Sequence, residues 1–495
     1  MDPARTPVIV GVGQANDREQ DPFAAMDSVG LMVAALRAAD RDAGGGWLAR
    51  LDSLAVVDQL SFPMLNPVVD RIADALGSAP RRREQTPAPM GDSPIRLLDE
   101  AANAIAAGEL DVAAVVGGEA LRTAARRAAA AAGDAPGDHN AMRGRHGVRA
   151  PGDRARYGLV APVDVYPLYE NACRAAWGQS LAEAQAESGA IWSGMAAVAA
   201  ANPHAWLRAP VTAAAVVTPS AANRPIAFPY TKLQVANSAV NQGAGFIVTS
   251  LALARAHGVP DDRLAFVGRG AAAREADDVL ARPGFADSGS MRVTLAATLA
   301  ANALAIDDVD LVELYSCFPC VPKMARRVLG LGVDRAMTLT GGLTFAGGPI
   351  GNFMSHAVAA ACERLREGGE RALLFGNGGF ATYSHAIVLS REPGAARPFG
   401  FDWQAEARHG PVPPLDLGYT GPAAIESYTV LYARDGSPNA GVVVARSSAG
   451  ARLLARVPAA ETGTIAFLTD GAVEPVGTAG VAVAAGDGLT DWRPA

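Results

Sequence analysis

Two spacings of apolar positions alternate along the first 120 residues. Short β-branched runs at Val8–Val12, Leu54–Val57 and Val112–Val116 are separated by stretches near Phe23–Ala39 and Ser93–Ala107 whose apolar residues recur every three to four positions. Strand period beside helix period is the pattern of an α/β layer. The second helix is punctuated at both ends: Asp92 or Ser93 can cap it, Pro94 suits its first turn, Ile95, Leu98, Ala102 and Ile105 share a face, and Gly108 ends it. From Leu264 to Leu389 the order returns as strand Leu264–Val267, helix Met291–Leu304, strand Val309–Leu314, helix Asn352–Arg366 and strand Ala372–Phe375. The segments AANAIAAGELDVAAVVGGEA and AAACERLREGGERALLFGNGGFA echo each other as helix, glycine break, acidic turn, buried strand and Gly-Gly exit. The chain is read as two similar α/β halves, with parallel strand pairing and helices on both sheet faces.

Between the halves, over residues 121–235, the alternation breaks and the composition turns to Ala, Arg and Pro, with arginines at 122, 126, 127, 143, 145, 149, 154 and 156. This is the mark of an inserted domain, partly helical where SLAEAQAESGAIWSGMAAVAAANP keeps helical spacing up to its Asn-Pro stop. After residue 393 a Pro- and Gly-rich stretch leads into short β-runs at Ile425–Tyr432, Gly441–Arg446, Arg452–Val457 and Thr464–Leu468, with Asp435-Gly436 and Asp470-Gly471 as turns. Those runs predict a small, separately folding OB-like barrel over 394–495. The α/β core is assigned to residues 1–120 and 236–393.

Composition narrows the possibilities. The 495 residues are 50% hydrophobic, enough for a large core, and 43 basic against 50 acidic residues leave net charge −7 with no basic run suited to a nucleic-acid backbone. Four cysteines cannot staple a chain this long, no cationic-then-apolar leader opens it, and no long apolar stretch is free of charge, Gly or Pro. The expectation is a cytoplasmic protein with no membrane span and no nucleic-acid partner.

Particular motifs then carry a resemblance. GELDVAAVVGGEA, NSAVNQGAG (237–245), ELYSCF (313–318), GGLTFAGGPIG (341–351) and GNGGF (376–380) occur in an order that resembles the thiolase superfamily over about residues 1–393, most closely its sterol-carrier-protein-type and thiolase-like branches. The resemblance implies a duplicated thiolase fold, layered α-β-α-β-α, with the C-terminal barrel added. It also implies CoA or acyl-CoA as ligand, with no further cofactor and no metal, and a homodimer or a monomer.

The departures from that family are chemical. The family's nucleophilic cysteine falls on Gly91, the activating histidine of its Gly-His-Pro loop on Gly348, and its acid/base cysteine on Gly376. Nucleophile, base and second acid/base are lost together, which removes the acyl and proton transfers of thiolysis. Tyr315 stands where thiolases place an Asn or His that binds the thioester oxygen, and is read either as an oxyanion donor or as a packed wall residue. His356 and His385 are the histidines nearest these loops, each either a base or structural. Asp92 is read as a helix cap. Ser238 resembles the serine beside the pantetheine arm, or else satisfies loop backbone; Gly347 and Gly378 belong to the ligand-side loops, and the insert's arginines could meet CoA phosphates. Cys317-Phe-Pro-Cys320 lacks a second pair of metal ligands and receives no redox or zinc role.

Three functions remain open. The first is an acyl-CoA-binding protein without thiolase activity. The second is a carbon–carbon lyase of retro-aldol type acting on a β-hydroxyacyl-CoA, since thiolase-like retro-aldolases also lack the cysteine, carry a Tyr at this motif and work with an OB-type partner. The third is an assembly subunit that recruits another enzyme.

Overall fold

The computed structural model describes residues 2–132, 152–394 and 410–495, so the arginines at 143, 145 and 149 lie outside the described residues. The first half comprises β1 (Pro7–Asn16), α1 (Ser28–Asp42), β2 (Ser53–Val56), α2 (Val69–Leu76), β3 (Arg82–Gln85), α3 (Ser93–Ala107), β4 (Val112–Ala120) and α4 (Leu121–Ala132). The insert adds α5 (Pro162–Ala176), α6 (Leu181–Ala201), α7 (Ala213–Val217), β5 (Pro225–Ala227) and β6 (Tyr230–Thr231). The chain returns through β7 (Asn241–Ser250) and α8 (Leu251–Ala256). The second half comprises β8 (Ala265–Arg274), α9 (Gly289–Ala301), β9 (Leu311–Leu314), α10 (Cys320–Leu329), α11 (Gly342–Phe345), α12 (Phe353–Arg366), β10 (Arg371–Gly378) and β11 (Tyr383–Ser390).

Nine strands form one sheet in the order β3-β2-β4-β7-β1-β8-β11-β10-β9. The order is a near-mirror about the β1–β8 junction, which is the duplication made visible: β1, β7, β4 and β2 match β8, β11, β10 and β9. Helices α1, α2 and α8 pack on the outer face of the first half, α9 and α10 on that of the second, while α3 and α12 touch strands of both halves. The result is five layers, α-β-α-β-α, with α3 and α12 as the shared inner layer. This is the fold class expected, with one correction in the pairing. Only β2–β3, β2–β4 and β9–β10 are parallel, and the strands around the centre are antiparallel. The reason is connectivity. β11 follows β10 after only four residues, too few for a crossover, and β7 enters from the insert rather than from a βα unit.

Strand β1 sorts the core. Val8 and Val10 join the outer apolar cluster under α1, whereas Ile9 and Val12 join the inner one around α3. The break in alternation falls at a register shift between Ile9 and Gly11, as a bulge requires. Strand and helix are very close here, since a Cβ on Gly13 would stand 2.8 Å from Ala38 Cβ. Helix α3 spans the predicted residues and ends at Gly108 with φ +74°.

The C-terminal region comprises β12 (Gly421–Tyr432), β13 (Pro438–Ser447), β14 (Arg452–Pro458), α13 (Thr462–Thr469), β15 (Ala479–Ala484) and β16 (Thr490–Pro494). These five strands pair in the cycle β12-β13-β14-β16-β15-β12, a closed barrel with the helix between its third and fourth strands, the OB arrangement. Thr464–Leu468, expected as a strand, lies in α13. A short apolar run is ambiguous between the two periods, and here Ile465 and Leu468, three apart, turn one helical face into the barrel core.

The barrel also packs closely on the rest of the chain. β5 of the insert pairs with β12 at Ala227 and Leu431. Ser427 Oγ donates to the Leu168 carbonyl at 2.5 Å and Asn171 Nδ2 to the Tyr428 carbonyl at 2.9 Å. Arg452, fully buried, donates to the carbonyls of Leu280 and Arg282 at 2.6 Å each and pairs with Glu426 at 2.6 Å. Removing such a guanidinium leaves two buried carbonyls without their donor and leaves Glu426 with Arg446 alone. Arg452→Ala is expected to lower stability by about 1–3 kcal/mol, read as a fall in the urea midpoint; an unchanged midpoint would show that the seam contributes nothing.

Candidate functional site

Gly91 and Gly376, two of the three glycine positions, meet at the start of α3. Gly91 precedes α3, Gly348 precedes α12, and Gly376 lies near the end of β10. Tyr315, just beyond β9, is pinned by its own N–H to the Phe375 carbonyl at 3.1 Å. That contact swings its phenol onto Gly91, where an added Cβ would overlap both Tyr315 Oη and the Asn377 carbonyl. At Gly376 a Cβ would stand 3.0 Å from Asp92 Cα, and at Gly378 it would overlap Asp92 Oδ1. Three backbones therefore close on one another, and the volume at position 91 belongs to Tyr315. Gly348 differs, because the nearest atoms to an added Cβ are at 3.4 Å, an ordinary contact.

Around this point buried polar groups collect. Tyr315 is 7% exposed; burial first, then Cys317 and Asp92, push its pKa well above the usual phenol value, so it stays protonated. Its ring meets Phe353 edge-on at 5.8 Å. Asp92 occupies the N-cap position of α3 but does not cap it. Its backbone is already helical, at φ −85° and ψ −12°, whereas capping geometry needs an extended residue. Its Oδ1 is buried without a partner, and burial raises its pKa against the opposing pull of His385 and Arg96.

His385, on β11, pairs through Nε2 with Asp99 Oδ2 of α3 at 2.8 Å, while its Nδ1 is buried with no partner. Asn103 Nδ2 holds Asp99 Oδ1 at 3.0 Å. His356, on α12, meets Gln14 Oε1 through Nδ1 at 2.7 Å. An amide oxygen only accepts, so Nδ1 carries the proton and the partnerless Nε2 is a bare lone pair. Burial and the neighbouring His204 push the His356 pKa down to about 3. The ring is neutral throughout the physiological range. The two histidines thus sit in separate environments and do not form one base.

The loop expected beside a ligand splits in two. Residues 237–240 are irregular, but Asn241 onward is strand β7. Ser238 is half-buried on that loop and its carbonyl accepts the Val240 N–H at 2.9 Å. The Gly348 N–H donates to the Asn237 carbonyl at 2.8 Å, which fixes the loop beside that glycine. Gly347 has φ +110°, and a Cβ there would overlap Gln242 Oε1. Cys317 is buried near Tyr166 and Asn377, and its thiol is pushed up to about 12 by burial, so it is no thiolate. Among the described residues no three His, Cys, Asp or Glu side chains gather to hold a metal.

Comparison with known proteins follows this geometry. The sequence profile of the "Thiolase-like protein type 1 additional C-terminal domain" matches residues 402–487. A monomeric SCP2-thiolase-like protein type 1 from Mycobacterium smegmatis superposes over 100% of both chains, with 29% identity and a TM-score of 0.81. The chain is a thiolase-like protein with an additional C-terminal domain. An Ltp2-ChsH2(DUF35) aldolase shares the fold at 18% identity and a TM-score of 0.59, over 79% of this chain and 98% of that one. Human mitochondrial 3-ketoacyl-CoA thiolase, solved in complex with CoA, shares it at 14% identity and a TM-score of 0.58, over 80% of this chain and all of its own. No curated protein matches the sequence.

In this thiolase-like protein the sequence motifs place Tyr315, Gly91 and Gly376 together, with His385 behind them. The pairing of His385 with Asp99 and the unpaired Asp92 carboxylate escape sequence reading. A spacing of seven between Asp92 and Asp99 puts both on one helical face, which was the available signal. Two outcomes test the geometry. Gly348→Ala is expected to leave the urea midpoint nearly unchanged, whereas Gly378→Ala should cost about 1–3 kcal/mol by overpacking; equal costs would contradict the placement of Asp92. A His356 ring with a folded pKa of about 3, below its ordinary value of 6.5, binds its proton later than in the unfolded chain. Stability therefore carries its full contribution above pH 6.5 and loses it as pH falls toward 3. The ring's C–H resonances should show no titration between pH 8 and 5, and a midpoint near 6.5 would refute its burial.

Proposed function

We propose that this chain binds CoA or an acyl-CoA beside Gly348 and Ser238 and does not perform thiolysis. One observation carries the reading: Tyr315 and the Asn377 carbonyl fill the space that any side chain on Gly91 would need. A nucleophile there is excluded by packing as well as by residue type. A side chain at Gly348 would make only ordinary contacts, the 237–240 loop beside it is half-buried, and the fold shared with a CoA-bound thiolase supports the ligand class. The relative from Mycobacterium smegmatis is monomeric, and a monomer is proposed here too. Calorimetry with CoA and acetoacetyl-CoA is expected to give binding, with acetoacetyl-CoA intact after incubation with free CoA. Absence of binding to both, or formation of acetyl-CoA, would overturn the reading.

A second reading rests on Asp92. Its partnerless carboxylate beside a protonated phenol is an acid/base pair in the place of the lost nucleophile. In a retro-aldol step a carboxylate at that point takes the proton of a β-hydroxyl as the Cα–Cβ bond breaks. The electron pair of that bond passes to the thioester enolate, whose oxygen Tyr315 would hold by hydrogen bond until Cα is protonated, and a ketone or aldehyde leaves. If the wild type cleaves any member of a panel of β-hydroxyacyl-CoAs, Tyr315→Phe should reduce turnover by about 100- to 1000-fold while leaving CoA affinity within a few-fold. A panel left uncleaved would remove this reading and leave the first.

A further inference from the structure

A base must keep a lone pair free, yet burial raises the Asp92 pKa and so favours its protonated form. Some neighbour has to draw that proton if the carboxylate is to act. The titratable groups that bear on Asp92 are Arg96 of α3, already paired with Glu100 at 2.7 Å, Tyr315 beyond β9, and Tyr383 and His385 of β11. Arg96 keeps its proton at any ordinary pH, and burial holds both phenols above their usual range, so they too stay protonated. His385 is the member of this set that can accept a proton near neutrality.

Backbone register puts the imidazole on the side of the sheet that faces Asp92. His385 lies directly opposite Gly376 across the β10–β11 ladder, so the two positions share one face. A Cβ on Gly376 would stand 3.0 Å from Asp92 Cα, so that face looks onto the acid. Glycine at 376 puts no side chain between the ring and Asp92. Gly270 on β8 clears the other flank, where a Cβ would overlap Asp99 Oδ2 and stand 3.0 Å from His385 Nε2.

The ring is gripped through its other nitrogen. Asp99 Oδ2 takes Nε2 at 2.8 Å, and Asn103 Nδ2 fixes the second Asp99 oxygen at 3.0 Å. A carboxylate accepts, so Nε2 carries the proton and Nδ1 is a buried lone pair without a partner. Asp92 Oδ1 is a second buried acceptor without a partner. One proton shared between these two atoms, directly or through one water, satisfies both. We propose that Asp99 and His385 are positioning residues for Asp92: Asp99 fixes the Nε2–H tautomer, and His385 Nδ1 takes the proton of the Asp92 carboxyl. One O–H bond breaks and one N–H bond forms, which leaves Asp92 a carboxylate and an imidazolium whose charge Asp99 offsets. Use of that carboxylate in carbon–carbon cleavage rests on the second reading above; the proton transfer itself rests on the three side chains.

Difference infrared spectroscopy of the full chain, with Asp92→Asn as the reference that removes the signal, reads the protonated carboxyl of Asp92 as pH is varied. His385→Phe, and His385→Gln, which keeps a donor for Asp99, are each expected to move the ionisation midpoint of Asp92 up by about 1–3 units. A midpoint that stays in place in a folded variant overturns the proposal. The urea midpoint establishes folding, and His385→Gln keeps the test decisive if His385→Phe does not fold. On any β-hydroxyacyl-CoA that the wild type cleaves, His385→Gln should lower kcat at pH 7 by about 100-fold with KM within a few-fold. Raised pH should restore that loss, because Asp92 then ionises unaided, whereas Asp92→Asn should stay inactive at every pH. A loss that raised pH does not restore also overturns the proposal. A midpoint that moves in a protein that cleaves none of the panel leaves the proton transfer standing and removes the lyase reading.

Discussion

Tyr315 and a side chain at position 91 compete for one volume, and much of the site follows from which of them holds it. The phenol is steered there by a single backbone hydrogen bond to Phe375 and braced edge-on by Phe353. With the phenol in place, Gly91 must stay glycine, and Asn377 can bring its carbonyl against that backbone. The close approach of Asp92 to Gly376 and Gly378 belongs to the same packing. A cysteine regained by one substitution would be an overpacked residue rather than a nucleophile.

What is left is acid/base chemistry in a dry environment. Tyr315, Asp92, His385 and Asn377 are each more than nine-tenths buried, and burial raises the pKa of Tyr315 and of Asp92, which favours their neutral forms. Asp99 is hydrogen-bonded to His385, whereas Asp92 Oδ1 has no hydrogen-bond partner. An unpaired buried carboxylate is costly, and such groups are found where a fold keeps them for a ligand or a proton. The histidine at position 356 is different in kind, because its protonation is suppressed, its Nδ1–H is spent on Gln14 and only the Nε2 lone pair is left.

The sequence was legible where side chains report on their own element. The duplicated halves, α3 with its Pro94 and Gly108 punctuation, and the barrel with its hairpin turns follow from periodicity and turn chemistry. The illegible parts depend on distant partners. β3 reads Arg-Arg-Glu-Gln because it is an exposed edge with no apolar face to show. Antiparallel β7 and β11 come from chain connectivity that local pattern does not encode. Ile465 and Leu468 fit either a strand or a helix, and the barrel end chose the helix. His385 and Asp99 are 286 residues apart, and Arg122 of α4 meets Gln20 across 102 residues. The motifs named Gly91 and Tyr315 separately. Only their shared volume explains why the two occur together.

The direct test of that shared volume is alkylation by iodoacetamide, followed by intact-protein mass, of Gly91→Cys alone and of Gly91→Cys combined with Tyr315→Ala. Competition for one volume predicts that the single variant is destabilised and modified slowly at position 91, whereas removal of the phenol in the double variant restores stability and exposes a rapidly modified thiol at the start of α3. A single variant as stable as the wild type and alkylated as fast as the double variant would contradict the account.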